Sequence, residues 1–240
     1  TKKSNLQNKF FKYLVTQILK NSAIITADSQ DMMEAMKALH PQGNYKLLQY
    51  GIDPIQALEK EKIVYSNRLH EPLYRIEKVI EYFKEFSAQN PDWKLVIAGT
   101  GSQTELLKSL ANNSEITEKI SFVGWQKKPE NRVWYAKSSI YISIPSSDGT
   151  SVSVLEAMSA GCLPILSDIA VSYEWIVNNA NGIIEGQNTN PFTSVLLLDD
   201  KFATQKNKLL VQTKASRSAC TERFIELYTV SINYDRKRIY

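Results

Sequence analysis

The sequence predicts an α/β fold in which helices cover both faces of a parallel sheet, the doubly wound, Rossmann-like arrangement. From Lys62 onward, short apolar runs alternate with longer amphipathic stretches, the pattern of strands joined by crossover helices. The 240 residues are 43% hydrophobic and 22% charged, so they suffice for one full domain and part of another.

The first 55 residues precede this pattern and are expected to close another α/β unit. We predict a helix, a strand, a helix and a strand in the segments QNKFFKYLVTQILKNS, AIITA, SQDMMEAMKALH and YKLLQYG. The earlier strands of such a unit are missing from the sequence. Residues 1–55 are therefore expected to be the tail of a first lobe and its linker.

The main sheet is predicted to lie within residues 56–220, followed by a C-terminal helix at 221–240. Its expected strands are KIVYSN, KLVIAG, KISFVG, SIYISIP, CLPILSD and NGIIEG. The expected helices between them are LYRIEKVIEYFKEFSAQ, SQTELLKSLAN, ENRVWYAKS and SVSVLEAMSAG. In the first of these helices the apolar residues recur at helical spacing, and Asn90 and Pro91 end it.

The charge pattern excludes some function classes. The net charge of +4 is spread along the chain apart from the ends, TKK and DRKR, so nucleic-acid binding is not expected. No apolar run approaches the roughly 20 residues of a membrane span, which predicts a cytoplasmic protein. The basic ends would allow peripheral contact with the inner face of a membrane. Cys162 and Cys220 have no metal-ligand spacing and are expected to be free thiols.

Residues 145–168, PSSDGTSVSVLEAMSAGCLPILSD, carry the strongest chemical signal. A strand ends at Pro145, a polar loop follows, and a helix begins near Ser151, whose hydroxyl is expected to accept from backbone N–H groups. The positive end of the helix dipole would then lie at the carboxyl edge of the sheet, where an anion or sugar hydroxyls can bind. Asp148 and Glu156 would address different parts of one ligand, unless they are incidental surface acids.

This stretch resembles the family 4 glycosyltransferases, retaining enzymes of the two-lobed GT-B fold that carry two glutamates separated by seven residues. The matching residues are Ser146, Asp148, Gly149, Leu155, Glu156, Ala157, Met158, Gly161, Pro164 and Ile165. The resemblance implies that Glu156 binds the ribose of a nucleotide-sugar donor and that Asp148 contacts the donor sugar. The backbone facing sugar and diphosphate would be that of Gly149, Thr150, Ser151 and Val152. Asp148 replaces a glutamate, which shortens its reach by about 1.5 Å.

Three further segments resemble the same family in order and spacing. Arg68, after the first strand of the main sheet, matches an arginine that contacts the donor diphosphate. The family's lysine five residues later is Leu73 here, so Arg75 either replaces it after a shift or merely decorates a helix. Gly99 and Gly101 form a Gly-x-Gly turn in the donor site, although many α/β turns need glycine for backbone reasons.

The third segment, SFVGWQKKPENRVWYAKSS, resembles the stretch that embraces the nucleotide base. Gly124, Trp125 and Gln126 are therefore candidates for the base site, while Trp125 and Trp134 are equally suited to be packing aromatics. His40 and His70 have no metal-ligand or triad spacing and are expected at the surface. Asp168 and Glu174 follow a strand and are expected to be solvated.

The resemblance implies transfer of a sugar from a nucleotide-diphosphate donor to an acceptor hydroxyl, with retention, in polysaccharide or glycolipid synthesis. The catalytic candidates are Asp148, Glu156 and Arg68, with a saccharide or lipid-linked acceptor and with neither a metal nor another cofactor. The first lobe would supply most of the acceptor site, so this chain alone is expected to be inactive. Two alternatives stay open, a sugar-nucleotide epimerase and a non-catalytic module that binds a nucleotide sugar or a partner.

Overall fold

The computed structural model describes residues 2–112, 116–186 and 189–236, and side chains within 9–232 of these. The strands are β1 (Ile25–Ala27), β2 (Tyr45–Leu47), β3 (Glu61–Ser66), β4 (Lys94–Ala98), β5 (Ile120–Gly124), β6 (Ser138–Ser143), β7 (Leu163–Leu166) and β8 (Ile183–Ile184). The helices are α1 (Lys2–Lys20), α2 (Gln30–Leu39), α3 (Ile76–Gln89), α4 (Thr104–Asn112), α5 (Lys128–Lys137), α6 (Val152–Ser159), α7 (Ala170–Tyr173), α8 (Pro191–Val195), α9 (Asp200–Ala215) and α10 (Arg217–Arg236).

The contacts divide the chain into two compact units, residues 1–51 with 217–240 and residues 52–216. In the smaller unit, β1 and β2 pair in parallel, and Ser29 caps α2 by accepting from the Met32 N–H. All four elements expected in the first 55 residues are present. The predicted domain limits at residues 55 and 220 stay predictions. Residues 221–236 of the predicted C-terminal helix lie in α10, and 237–240 lie outside the described residues.

The larger unit contains a six-stranded parallel sheet in the order β5-β4-β3-β6-β7-β8. The chain moves outward from β3 through β4 to β5, and then returns to the other side of β3 with β6. This reversal makes the gap between β3 and β6 a topological switch point, where open α/β sheets bind ligands at the carboxyl ends of the strands. The predicted doubly wound α/β fold is confirmed.

Two apolar cores lie on opposite faces of the sheet because successive side chains of a strand point to opposite sides. Val64 joins one core with Phe83 and Phe192, while its neighbour Tyr65 joins the other with Tyr135. The central strands therefore bury apolar side chains on both faces.

Every helix among the described residues is too short or too polar to cross a bilayer. The basic ends, on which the expected membrane contact rests, lie outside the residues whose side chains are described.

A buried amide pair joins α9 to the segment before β8. Asn207 donates to the Asn181 carbonyl at 2.8 Å, and its side-chain oxygen accepts from the Asn181 amide at 2.6 Å. The side-chain oxygen of Asn181 in turn accepts from the Val177 N–H at 2.7 Å. Asn207 and Asn181 are 0% and 1% exposed, so each needs the other to replace water.

Asn207→Ala is therefore expected to lower the free energy of unfolding by about 1–3 kcal/mol, because it leaves buried polar atoms of Asn181 unpaired. Urea unfolding followed by circular dichroism measures the change. Gln205→Ala, at an exposed position of the same helix, is the matched control and should stay within about 0.5 kcal/mol of the unaltered chain. Equal midpoints for the two variants would contradict the assignment.

Candidate functional site

The Arg68 side chain lies just beyond β3, where the strand order reverses. It is 10% exposed, and one guanidinium nitrogen donates to Asp148 Oδ2 at 2.8 Å while another donates to the Ser151 hydroxyl. Its guanidinium carbon lies 4.5 Å from the centre of the Tyr74 ring, a cation–π distance. Burial alone would lower the pKa of Arg68, but Tyr141, Asp148 and Tyr74 outweigh it and raise the pKa. The cation is thus permanent and held from three sides.

The loop after β6 supplies two of those contacts and corrects one prediction. Ser151 is the N-cap residue of α6, yet its side chain makes no capping bond, because its hydroxyl is turned towards Arg68. The Ser151 carbonyl accepts the first hydrogen bonds of α6, from the Val154 and Leu155 N–H groups, as in any helix. Asp148 Oδ1 accepts from the Gly149 N–H at 3.1 Å, which fixes the orientation of its carboxylate. The structure therefore brings Arg68, Asp148 and Ser151 together.

The neighbouring backbone candidates have unequal access to solvent. Thr150 is 5% exposed and Val152 is 40% exposed, while Gly149 is half-buried. Together with Ser143 at the end of β6 and with Pro145, the loop lines a cavity. The rest of its lining is mostly apolar but includes two serines: Val154, Leu166, Ser167, Ile169, Val171, Ser172 and Trp175. The polar wall of this cavity is where hydroxyl groups of a ligand would be bound.

Glu156, on α6, is half-buried beside the Tyr135 hydroxyl. Burial raises its pKa, against the lowering effects of Lys128, Arg132 and the hydrogen bond from Tyr135. A carboxylate has two acceptor oxygens, and the hydrogen bond from Tyr135 uses only part of their capacity. Glu156 is thus suited to accept hydrogen bonds from two adjacent hydroxyl groups of a ligand.

The glycines of the Gly-x-Gly turn are needed for close backbone packing. A Cβ atom on Gly99 would collide with the Arg68 carbonyl oxygen, and one on Gly101 would lie 2.5 Å from the His70 carbonyl oxygen. The φ of Gly99 is also +116°, which other residues rarely adopt. Their role in binding a donor stays a prediction. Their structural role is to let the main chain at Arg68 and His70 pack closely against this turn.

The expectation that His70 lies at the surface is wrong. The residue is 1% exposed, its Nδ1 lies 2.9 Å from the Thr104 hydroxyl, and its ring packs edge-on against Phe122. Burial lowers the pKa of His70. The segment after Arg68 turns inward to pair with the Gly-x-Gly turn, and this inward turn buries the imidazole. His40, by contrast, is half-buried.

At the end of β5, Gly124 has φ +68° and only open space where a Cβ would stand. Trp125 is 68% exposed, so it is not a packing aromatic in this structure. Trp134 is one, since it stacks on Tyr65 and donates to Gln126 Oε1 at 3.2 Å. The Gln126 amide nitrogen donates to the Val123 carbonyl at 2.7 Å, so this side chain is already engaged. A planar ligand would therefore meet the backbone here and the Trp125 ring.

Arg75 is not a solvated residue on a helix surface, because its guanidinium makes specific contacts. It adopts the left-handed conformation before α3, and its guanidinium bonds the Ile144 carbonyl and the Glu185 carboxylate. Sequence reasoning missed Glu185, although a charged residue directly after two buried strand residues, Ile183 and Ile184, was a usable signal. It also missed Tyr74 as a contact of Arg68. Asp168 is exposed and accepts from the hydroxyl of Tyr173, five residues along the chain, at 2.8 Å.

Among the described residues, no group of three or more His, Cys, Asp and Glu side chains could hold a metal ion. Cys162 and Cys220 form no disulfide among the described residues, and both are buried.

The family described as glycosyl transferases group 1 matches residues 53–217, most of the chain. The chain belongs to this family. The match spans the whole parallel sheet and every candidate residue named above. The general assignment to the glycosyltransferases is thereby confirmed.

Solved structures share the fold of this chain. TarM superimposes with a TM-score of 0.77 at 18% identity, over 92% of this chain and 46% of TarM. A sucrose-phosphate synthase from Thermosynechococcus elongatus superimposes with a TM-score of 0.80 at 15% identity, over 94% of this chain and 62% of that chain. The chain thus spans about half to two thirds of these structures, and the likeness establishes the GT-B fold.

Curated relatives are similar over shorter stretches. A Haemophilus influenzae protein described as an uncharacterized glycosyltransferase is 32% identical over 89 residues, 37% of this chain and 24% of the relative. The GDP-mannose:cellobiosyl-diphosphopolyprenol alpha-mannosyltransferase of Xanthomonas oryzae is 26% identical over 99 residues, 40% of this chain and 26% of the enzyme. Each alignment covers about a quarter of the relative's length.

The raised pKa of Glu156 has a consequence for the stability of this glycosyltransferase. Because folding favours the protonated acid, its contribution is full below the ordinary value of 4.5 and is lost as pH rises through the folded pKa. Glu156→Gln is therefore expected to melt at a higher temperature than the unaltered chain at pH 7, with the gap closing near pH 4. Thermal unfolding at both pH values measures this, with Glu81→Gln as an exposed control. A gap that is constant with pH would contradict it.

Proposed function

We propose that this chain is the donor-binding part of a retaining, family 4 glycosyltransferase that moves a sugar from a nucleoside diphosphate to an acceptor hydroxyl. The observation that carries the proposal is the constellation of Arg68, Asp148 and Ser151 at the switch point of the sheet. A fixed cation, a carboxylate and a hydroxyl at one sheet edge match the diphosphate and hydroxyl groups of a nucleotide sugar.

Each part of the donor then has a candidate partner. Arg68 binds the diphosphate and stabilises the charge that develops on it as the sugar departs. Glu156 accepts from the ribose hydroxyls, and the base lies against Trp125 and the backbone after Gly124. Asp148 accepts from sugar hydroxyls, while the backbone of 149–152 faces the sugar and the diphosphate. The groups are held by packing before the donor arrives, which lowers the cost of orienting it.

Arg68 is paired with Asp148 at 2.8 Å, so a diphosphate and this carboxylate would compete for the same guanidinium. A diphosphate that reaches Arg68 replaces the carboxylate as partner of the guanidinium. Asp148 is then released towards the sugar, so one exchange of partners positions both ends of the donor. The short Asp148 side chain, in place of the family's glutamate, keeps this carboxylate close to its own loop.

The acceptor we propose is a saccharide or a lipid-linked saccharide, in the synthesis of a polysaccharide or glycolipid. Curated relatives carry names of this kind, including the Xanthomonas mannosyltransferase and the alpha-monoglucosyldiacylglycerol synthase of Streptococcus pneumoniae. Since the aligned stretches cover 26% and 20% of those relatives, the acceptor is a proposal for the protein that contains this chain. We propose cytoplasmic action, with contact at the inner face of the membrane, and no metal requirement.

Calorimetric titration with UDP, GDP and ADP tests the donor site. We expect micromolar to millimolar affinity for one nucleotide. This affinity should be at least about tenfold weaker in Arg68→Ala and in Glu156→Ala. The nucleotide that binds names the base. Binding of none of the three would contradict the proposal for this chain, and binding without sugar transfer by the protein that contains it would favour the non-catalytic module.

Asp148→Asn separates the two roles of the ion pair. Removing the carboxylate that competes for Arg68 is expected to strengthen binding of the free nucleoside diphosphate by about fivefold, equivalent to ~1 kcal/mol. Sugar transfer should nevertheless fall, since the sugar loses its acceptor group. Asp92→Asn makes the same charge change at an exposed pair with Lys62 and is expected to leave the affinity unchanged. Weaker diphosphate binding in Asp148→Asn would show that the two anions do not compete.

A further inference from the structure

Glu185 is a buried carboxylate that the proposed chemistry leaves without a role. It follows β8 at the edge of the sheet, is 5% exposed, and continues the ladder by donating its N–H to the Leu166 carbonyl at 2.7 Å. Burying a carboxylate is costly unless it is paired and hydrogen-bonded. Its side chain must therefore be held by specific partners.

Among the described residues, the three side chains that contact the carboxylate are Arg75, just before α3, and Lys78 and Tyr82 within it. Arg75 donates to Oε2 at 3.0 Å, the Tyr82 hydroxyl donates to Oε1 at 2.8 Å, and Lys78 Nζ lies 3.6 Å from Oε1. Tyr82 and Lys78 lie within the helix. Arg75 precedes it, in a left-handed conformation with φ 50° that favours glycine, so a side chain is kept there at some backbone cost.

The other end of the Arg75 guanidinium reaches the loop after β6. Its Nε donates to the Ile144 carbonyl at 2.6 Å. A second hydrogen bond joins this loop to the turn at residues 72–75, since the Ser146 N–H donates to the Leu73 carbonyl at 2.8 Å. The guanidinium thus bridges the end of β8 and the beginning of the loop that contains Asp148.

Both elements joined by Arg75 hold Arg68. The turn at residues 72–75 carries Tyr74, whose ring lies 4.5 Å from the Arg68 guanidinium carbon. The loop carries Ser151, whose hydroxyl accepts from the Arg68 guanidinium. If the bridge is lost, the Tyr74 ring and the Ser151 hydroxyl, two contacts that orient Arg68, lose their common support.

We propose that Glu185 and Arg75 are positioning residues for the diphosphate site. Glu185 orients Arg75, and Arg75 fixes the turn and the loop that aim the Arg68 guanidinium at the phosphate next to the sugar. This inference rests on the proposed function. It also assigns Arg75 a different role from direct contact with the donor, because the Arg75 guanidinium is occupied by Ile144 and Glu185.

The test compares nucleoside diphosphate with nucleoside monophosphate, using the base that the titration names. Glu185→Gln is expected to reduce the preference for the diphosphate by at least about fivefold, while monophosphate affinity stays within about twofold. If Arg75 itself bound the donor, releasing it from Glu185 would raise diphosphate affinity, so the sign of the change decides between the two roles. An unchanged or raised preference overturns the proposal.

Two further variants guard against a trivial loss of folding. Arg75→Gly suits the left-handed conformation, so it deletes the bridge without straining the turn, and it should lose the same preference as Glu185→Gln. Tyr82→Phe removes a different partner of Glu185 and leaves Arg75 in place, so it should keep the preference within about twofold. A loss in Tyr82→Phe equal to that in Glu185→Gln would overturn the proposal.

Hydrogen–deuterium exchange provides a readout that does not need a nucleotide. The Ser146 amide should exchange at least about tenfold faster in Glu185→Gln and at an unchanged rate in Tyr82→Phe, because only the first loses the bridge. If the unaltered chain binds no nucleoside diphosphate, the proposed function fails and this exchange rate alone decides the positioning role. Exchange at the unaltered rate in Glu185→Gln overturns it.

Discussion

A permanent cation that is nearly withdrawn from water needs support on every side, and the arrangement around Arg68 meets that need. Tyr74 covers one face of the guanidinium, while Asp148 and Ser151 accept its hydrogen bonds. These groups come from a turn after β3 and a loop after β6, which the strand order places side by side. The parallel sheet thus serves to bring two distant parts of the sequence to one charge.

Beneath this charge lies a polar network within the otherwise apolar core. Asn67 donates to the Tyr135 hydroxyl at 2.7 Å and accepts from the Tyr141 hydroxyl at 2.8 Å. Asn131 accepts from Asn67 at 3.0 Å and donates to the Gln126 carbonyl at 3.1 Å. A continuous set of hydrogen bonds therefore connects the segment beside Arg68 with the segment after β5, so the two ends of the candidate site are held at a fixed separation.

The order and type of the elements were predictable from sequence because periodicity and Pro or Gly punctuation are local signals, as in the helix that ends at Asn90. The meeting of Arg68 with Asp148 was accessible only through a family resemblance. Ser151 and His70 were mispredicted for a common reason. A hydroxyl at a helix start usually caps that helix, and an imidazole in a loop usually faces solvent. Here Ser151 instead accepts from Arg68, and His70 pairs with Thr104. Glu185 was missed because its partners lie far away in sequence.

The close approach of Gly99 to the Arg68 carbonyl links two residues that share no side-chain chemistry. Any methyl group added at Gly99 has to be accommodated by moving the main chain that carries the guanidinium, since the turn itself is held by the Gly124 carbonyl at 2.8 Å. In a library of random substitutions, the two positions would consequently fall into one phenotypic class, although only one of them carries a charge. The tolerance of this sheet edge to mutation is set by the main chain as much as by its functional groups.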